Sequence, residues 1–363
     1  MRTTAAIVNK QGADFCLEEV ELEGPRADEV LVRIVATGLC HTDIHLKGFL
    51  PAEMFPNVFG HEGAGVVEAI GADVTGIAVG DHVVLSFRSC RTCANCLRGL
   101  VGYCESSLVL NYLGLRLDGS TTYRRDGSPV FGSFFGQSSL SQHAIAYADN
   151  CVVVDKALDL TRVAPYGCGF QTGAGTVLNV LAPTSEDSLV VYGAGAVGLA
   201  ALAAARHLGT GTLVAVDPIA SRREAAERFG AVSLDPTEVP VVDRVRELTG
   251  GGASYAIDTT AVSDVVRQAQ QSLRTCGTLV ALGLGAEEYG LDAIDLLQSG
   301  KTVRSSVEGD SDPQLMVPRL IAMNAAGEFP VDDLVTTYPF AAINDAVRDA
   351  GAGTVVKPVL VWE

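Results

Sequence analysis

Cys90, Cys93, Cys96 and Cys104 stand in the pattern C-x2-C-x2-C-x7-C, on a stretch that also holds Gly99 and Gly102. That spacing can gather four thiolates around one tetrahedral ion, the arrangement of a structural zinc. An iron–sulfur cluster competes, since bacterial ferredoxins also open C-x2-C-x2-C, but their fourth cysteine follows after three residues and precedes Pro. Here it follows after seven and precedes Glu105. Four buried thiols without metal are the plainer alternative, disfavoured because cysteines seldom crowd together outside metal and redox sites. A closed four-thiolate shell leaves no position for a substrate.

A second set is dispersed: Cys40 in Gly-Leu-Cys-His-Thr-Asp, His61 in Gly-His-Glu-Gly, and Cys168 in Gly-Cys-Gly-Phe-Gln-Thr-Gly. Each alone reads as easily as a small core thiol or a hydrogen-bonded structural histidine. Together, two thiolates and one imidazole give a zinc ion three protein ligands and an open fourth position, as a catalytic zinc needs. Asp43 is the candidate partner that would orient the His61 ring. Cys16, Cys151 and Cys276 belong to no motif and are assigned no role.

Gly193-Ala-Gly195-Ala-Val-Gly198 follows an apolar run and opens a helical one, so its glycines can make a tight turn that offers backbone N–H groups to a pyrophosphate. A second apolar run ends at Asp217, nineteen residues after Gly198, where a carboxylate would accept hydrogen bonds from adenosine ribose hydroxyls. The same charge repels a 2′-phosphate, which favours NAD over NADP. Arg222 is a further candidate cofactor contact; the alternative, shared with Arg223, is a solvated helix face.

These residues need two kinds of scaffold. From Met1 to about Ala146, short β-rich runs (30–36, 63–70, 82–87) alternate with Gly, Pro and Asp turns. After about Phe170 the rhythm becomes βαβ: a strand over 188–192, a helix over 196–208, a strand over 213–216, and further strands over 255–257 and 278–282. Ser221 with Glu224 reads as a capping box, and Gly230 as the stop of that helix. A helix is expected over 313–326, and the last run, 355–362, is expected to return to the first domain. With 363 residues, 48% of them hydrophobic, the chain can bury two cores. A net charge of −17 repels phosphate backbones and anionic headgroups, so nucleic acid and membrane surfaces are excluded as partners and a small molecule is expected. The opening residues carry no apolar core with a cleavage site, and no run of about 18 apolar residues occurs, so a cytoplasmic location is expected.

Over essentially its whole length the sequence resembles the zinc-containing medium-chain dehydrogenase/reductase superfamily. The resemblance implies an α/β protein made of a GroES-like β-rich catalytic domain (1–169 and 308–363, with the structural-zinc lobe near 90–104) and a doubly wound Rossmann domain (170–307), with the active site in the cleft between them. It also implies an NAD-dependent alcohol dehydrogenase holding two zinc ions per chain. Carried over by motif, Cys40, His61 and Cys168 are the catalytic zinc ligands, with Glu62 behind the metal as a transient one. Thr42 and His45 are the proton relay, and His41, Thr172 and Lys357 join Gly193, Gly195, Gly198 and Asp217 as cofactor contacts. For Thr42 the alternative is a helix N-cap, and for His45 a surface histidine. The segments 133–139, 167–173 and 308–311 are most like the aryl-alcohol (benzyl-alcohol) dehydrogenases, although Phe170 stands where an aliphatic residue is expected.

The activity implied is reversible oxidation of a primary alcohol, aromatic or allylic, to the aldehyde, with hydride passing to NAD. A thiol-dependent formaldehyde dehydrogenase and a terpene-alcohol dehydrogenase are the alternatives within the zinc enzymes. Zinc-free quinone or enone reductases lack these ligands, and a zinc-stabilised NAD-binding protein without turnover would leave an open metal site unexplained. Phe87 and Met54 are candidate apolar lining for a substrate ring. A homodimer or homotetramer is expected.

Overall fold

In the computed structural model, which describes residues 1–362, the chain divides into two compact units: residues 1–168, 312–321 and 334–363 form one, and 169–311 with 322–333 the other. The second crossing of the chain between units thus falls at Ser311/Asp312, and residues 322–333 go with the second unit.

The first unit is built from β-structure. The strand Glu29–Gly38 lies inside a seven-stranded sheet, pairing antiparallel with Gly63–Ile70, His143–Tyr147 and Lys357–Val361. The C-terminal strand lies against Gly38, Thr37 and Ala36, which brings Lys357 to the end of the strand leading into Cys40. A five-stranded sheet, in the order 57–58, 2–8, 15–22, 123–125 and 128–130, completes the unit. The alternation in Val30-Leu-Val-Arg-Ile buries Val30, Val32 and Ile34 while Arg33 stays exposed and pairs with Glu68.

The second unit carries a six-stranded all-parallel sheet in the spatial order 232–234, 212–216, 188–192, 253–258, 273–281 and 302–305. Numbered along the chain this is 3-2-1-4-5-6, the doubly wound Rossmann order, whose phosphate-binding turn follows the first strand. That strand, Ser188–Tyr192, is buried at every position, as a central parallel strand must be.

Local readings shift at a few ends. The helix Ala220–Arg228 starts before Ser221 and is capped by Ile219 with no side-chain bond, so the Ser221–Glu224 capping box does not form. Asp217 Oδ1 accepts from the Ile219 N–H, and this fixes the cap two residues earlier than Ser221. Asp43, by contrast, closes a capping box that the residue pattern does not announce, on Cys40 at the start of the helix His41–Phe49. Among the described residues no helix is long and apolar enough to cross a membrane.

Candidate active site and cofactor turn

All four dispersed metal-ligand candidates lie in the first unit, and their donor atoms come within 4.8 Å of one another. Cys40 caps the helix His41–Phe49, His61 and Glu62 lead into the strand Gly63–Ile70, and Cys168 follows the short helix Ala164–Gly167. Asp43 joins these pieces. Its Oδ2 accepts from the Cys40 N–H at 3.1 Å, and its Oδ1 accepts from the Gly60 N–H and from His61 Nδ1, each at 2.9 Å. Because Nδ1 donates to Asp43, the lone pair falls on Nε2, which is buried with no hydrogen-bond partner among the described residues. An imidazole nitrogen orphaned beside two thiols and a carboxylate fits a zinc ion.

Without an ion the charges favour a Cys40 thiolate beside a protonated His61 ring, and a cation held at Nε2 would displace that ring proton. A hydrogen bond from Cys168 holds the Cys40 thiol well below its ordinary range, with His61 and Lys357 adding to the effect against burial. Burial opposes charge on the His61 ring, but Asp43 and Cys40 outweigh it and raise its pKa well above the usual value. Burial pushes Glu62 up to about 7, with Lys357 working the other way. Lys357 itself is buried, with Nζ 2.5 Å from Glu62 Oε2 and 3.3 Å from the Leu39 carbonyl. The first partner of this ammonium is therefore Glu62. Gly38 makes the approach possible, because a Cβ there would sit 1.9 Å from Glu62 Oε2.

The segment 133–139 packs against His61 and Gly63. Gln137 Nε2 donates to the carbonyls of His61 and Ser86, and Gln137 Oε1 accepts from the Gly63 N–H, so one buried amide pins both sides of His61–Gly63. Phe135, held at a left-handed φ of 52°, lays its ring 4.6 Å from the His61 ring, and Phe134 meets His61 edge-on at 5.6 Å. Tyr112 and Phe59 pack against these rings, while Phe87 and Met54, expected as lining, belong to the same apolar cluster.

Thr42 Oγ1 lies 3.8 Å from the Cys40 sulfur, and Thr42 is inside the helix rather than at its cap. His45, one turn further on, is half-buried between the rings of His41 and Phe49. His41 is exposed at the first helical position.

The four clustered cysteines also bring their sulfurs within 4.8 Å of one another. Backbone and side-chain bonds from Thr92 lower Cys90 to about 6, whereas burial pushes Cys96 up to about 12. Arg91, between two of these cysteines, forks onto Asp312 at 2.5 and 3.0 Å and so anchors the lobe.

In the second unit, the Gly193–Gly198 turn follows the first strand and opens the helix Ala196–His207. Gly193 needs its φ of 90°; a Cβ on Gly198 would sit 2.0 Å from the Gly193 carbonyl, whereas one on Gly195 would meet nothing within 4 Å. Gly195 therefore leaves open a space in front of a helix N-terminus that has no side-chain cap, a cradle that fits a pyrophosphate. Asp217 Oδ2 accepts from the Ala194 N–H at 2.8 Å, which ties the end of the second strand to this turn. Arg222 Nη1 stands 3.9 Å from that carboxylate, and Arg223 pairs with Asp235 at 2.9 Å. Thr172 lies on the helix Gly169–Gly175, where its hydroxyl donates to Glu308.

Residues 26–156 match the family of alcohol dehydrogenase GroES-like domains, and residues 196–323 match that of zinc-binding dehydrogenases. The geraniol dehydrogenase of Castellaniella defragrans is 42% identical over 99% of this chain and 97% of its own. Among solved structures, an alcohol dehydrogenase zinc-binding domain protein from Burkholderia ambifaria superposes with a TM-score of 0.94 at 43% identity, covering 99% of each chain. The benzyl alcohol dehydrogenase of Acinetobacter calcoaceticus superposes with a TM-score of 0.95 at 37% identity over the full length of both.

Proposed function

Because the chain belongs to the zinc-containing alcohol dehydrogenases of the medium-chain dehydrogenase/reductase superfamily, an NAD-dependent family, we propose that its substrate is a primary alcohol whose carbinol carbon adjoins an aromatic ring or a C=C bond. The observation that carries this reading is the pair of rings Phe134 and Phe135 against His61, with Tyr112 packed on both of them. Flat unsaturated groups pack offset or edge-on against such rings with about 0.5–1.5 kcal/mol beyond their area burial. The similarity to a geraniol and a benzyl alcohol dehydrogenase supports it.

When bound, zinc supplies a Lewis acid for the substrate oxygen, and NAD supplies the hydride acceptor. Cys40, His61 and Cys168 hold the catalytic ion and Asp43 orients the Nε2 lone pair of His61, while Lys357 balances the charge of Glu62, the alternate ligand. The Thr42 hydroxyl would take the alcohol proton while releasing its own toward His45, one helical turn away, which would hand it to solvent. Gly193, Gly195, Gly198, Asp217, Thr172, Arg222 and His41 contact the dinucleotide, and Cys90, Cys93, Cys96 and Cys104 hold the structural ion. The chain forms a homodimer or homotetramer. The strand Thr302–Ser305 ends the parallel sheet, and the helix preceding it exposes Ile294 and Leu297 at 64% and 80%. Sedimentation of the purified protein reads the assembly directly.

The test is metal content by mass spectrometry together with NADH formation from benzyl, cinnamyl, terpene and short aliphatic alcohols. Two zinc ions per chain and a higher kcat/KM for the unsaturated alcohols are expected. A preference for short aliphatic alcohols, or for a hydroxymethyl thiol adduct, would overturn the substrate assignment.

A further inference from the structure

The segment Asp258-Thr-Thr-Ala261 ends the fourth strand of the parallel sheet, outside the glycine turn and outside both cysteine sets. Asp258 is fully buried, and Ala261 takes a left-handed φ of 51° although it carries a Cβ. A buried carboxylate and a strained backbone both destabilise a fold, and they persist only where the surroundings dictate them. Here they do. The Asp258 carboxylate accepts from Thr260 Oγ1 at 2.7 Å and from the Ala261 N–H at 2.9 Å, and its main-chain carbonyl accepts from the Leu282 N–H at 2.8 Å. Gly283 leaves the room that the bend needs, since a Cβ there would fall 2.6 Å from the Ala261 nitrogen.

What the bend presents is Thr259. The strand Ala253–Asp258 runs parallel to Ser188–Tyr192 with Asp258 opposite Tyr192, so the residues that follow, Thr259 and Gly193, are neighbours. The Thr259 N–H donates to the Tyr192 carbonyl at 2.9 Å. Its Oγ1 donates to the Gly193 carbonyl at 2.9 Å, with the Tyr192 carbonyl 3.2 Å away. A Cβ on Gly193 would fall 2.4 Å from this hydroxyl, so the close approach, as well as the φ of 90°, calls for glycine there.

The same peptide group is held from its other side. Asp217, which follows the strand Thr212–Val216, accepts the Ala194 N–H at 2.8 Å. In the sheet, 212–216 and 253–258 flank 188–192, one on each side. The peptide between Gly193 and Ala194 therefore has its C=O fixed by the end of one neighbouring strand and its N–H by the end of the other. A glycine gives its peptide unusual freedom to turn over, and these two bonds remove it. Fixing this peptide also aims the chain that follows it into the N-terminus of the helix Ala196–His207, whose N–H groups suit an anion. Every residue of the arrangement belongs to the second unit.

We propose that Thr259 is a positioning residue for the dinucleotide: its hydroxyl, opposed by Asp217, locks the Gly193–Ala194 peptide and so presets the N–H groups that receive the pyrophosphate. This rests on the reading of the Gly193–Gly198 turn as the pyrophosphate seat. Preorganisation by one hydrogen bond corresponds to an affinity change on the order of fivefold.

The experiment is equilibrium binding of ADP-ribose, by calorimetry, and of NADH, by its fluorescence, to the zinc-loaded protein and to Thr259→Ala, Thr259→Ser and Gly195→Ala. Thr259→Ala is expected to raise both dissociation constants alike, on the order of fivefold, because both ligands carry the pyrophosphate. Thr259→Ser, which differs from the Ala variant by one oxygen, is expected to return both to wild-type values. A loss that Ser does not restore would assign the effect to the methyl group and overturn the proposal. A loss confined to NADH would place Thr259 at the nicotinamide end and overturn it too. Wild-type affinity in Thr259→Ala, with binding weakened in Gly195→Ala, overturns the proposal and leaves the pyrophosphate seat standing. Wild-type affinity in both variants removes the seat, and the proposal with it.

Discussion

Asp43 carries three hydrogen bonds at the metal cradle, from the Cys40 N–H, the Gly60 N–H and His61 Nδ1, and it is fully buried. Replacing it with Ala strands three buried donors and frees the His61 ring to turn. Each stranded donor costs about 1–3 kcal/mol, and loss of a ligand's orienting partner typically weakens metal affinity about 10–100-fold. Asp43→Ala is therefore expected to surrender its catalytic zinc to a chelator that leaves wild type loaded, while the zinc of the four-cysteine lobe stays in place. Equal retention in both proteins would show that His61 is oriented without Asp43. His45 makes a different claim, one about protons rather than metal. His45→Gln is expected to slow turnover on the order of a hundredfold where proton release limits the rate, and to recover with added imidazole. A variant with wild-type rates and an unaltered pH profile would take His45 out of the relay.

Two glycines in one turn separate folding from binding at the level of the element. A Cβ on Gly198 strikes the Gly193 carbonyl, a backbone atom that cannot swing aside, so Gly198→Ala must push the helix Ala196–His207 off its strand. Lower thermal stability and weaker NADH binding are expected together. Gly195→Ala meets nothing in the free protein, so its melting temperature should match wild type while NADH affinity falls at least tenfold, because the methyl fills the space left for the pyrophosphate. Normal NADH binding by Gly195→Ala would place the phosphates elsewhere. This turn was legible in the sequence because a short apolar run, the glycine spacing and an Ala-rich helical stretch follow one another without a break. The Ser221–Glu224 box was misleading for a local reason: Asp217, two residues before Ile219, captures the Ile219 N–H and moves the cap. Gln137 and Glu308 lay in segments whose likeness to aryl-alcohol dehydrogenases could be read, but not their work. Gln137 reaches His61 across 76 residues of chain and Glu308 reaches Thr172 across 136, and such long-range side-chain contacts leave no periodic trace.

At the scale of the molecule, two electrostatic effects pull stability in opposite directions as the solution is acidified. The net charge of −17 repels itself, and protonation relieves that repulsion. Against it stands a buried network. Arg116 forks onto Glu29 at 2.5 and 2.9 Å and reaches Glu23 at 2.7 Å, and Tyr147 donates to Glu29 at 3.1 Å. Burial works against the charge of Glu29, but the Arg116 hydrogen bonds, the Arg26 N–H and the Arg116 charge outweigh it and hold this carboxyl below its ordinary range. A group with a depressed folded-state pKa contributes stability above its unfolded value, about 4.3, and loses it as the pH falls through the folded value. Surface repulsion is screened over about 8–10 Å of salt solution, whereas the buried pair is screened far less, so the local loss should dominate at moderate ionic strength. The melting temperature is expected to fall steeply below about pH 4. Glu29→Gln should cost about 3–5 kcal/mol at neutral pH, because it leaves the Arg116 charge buried without its partner, and that deficit should begin to shrink once the pH falls below about 4, as the stability held by the depressed Glu29 carboxyl is lost. A stability gap between the two proteins that stays constant from pH 7 to pH 3 would move the origin of acid unfolding away from this network.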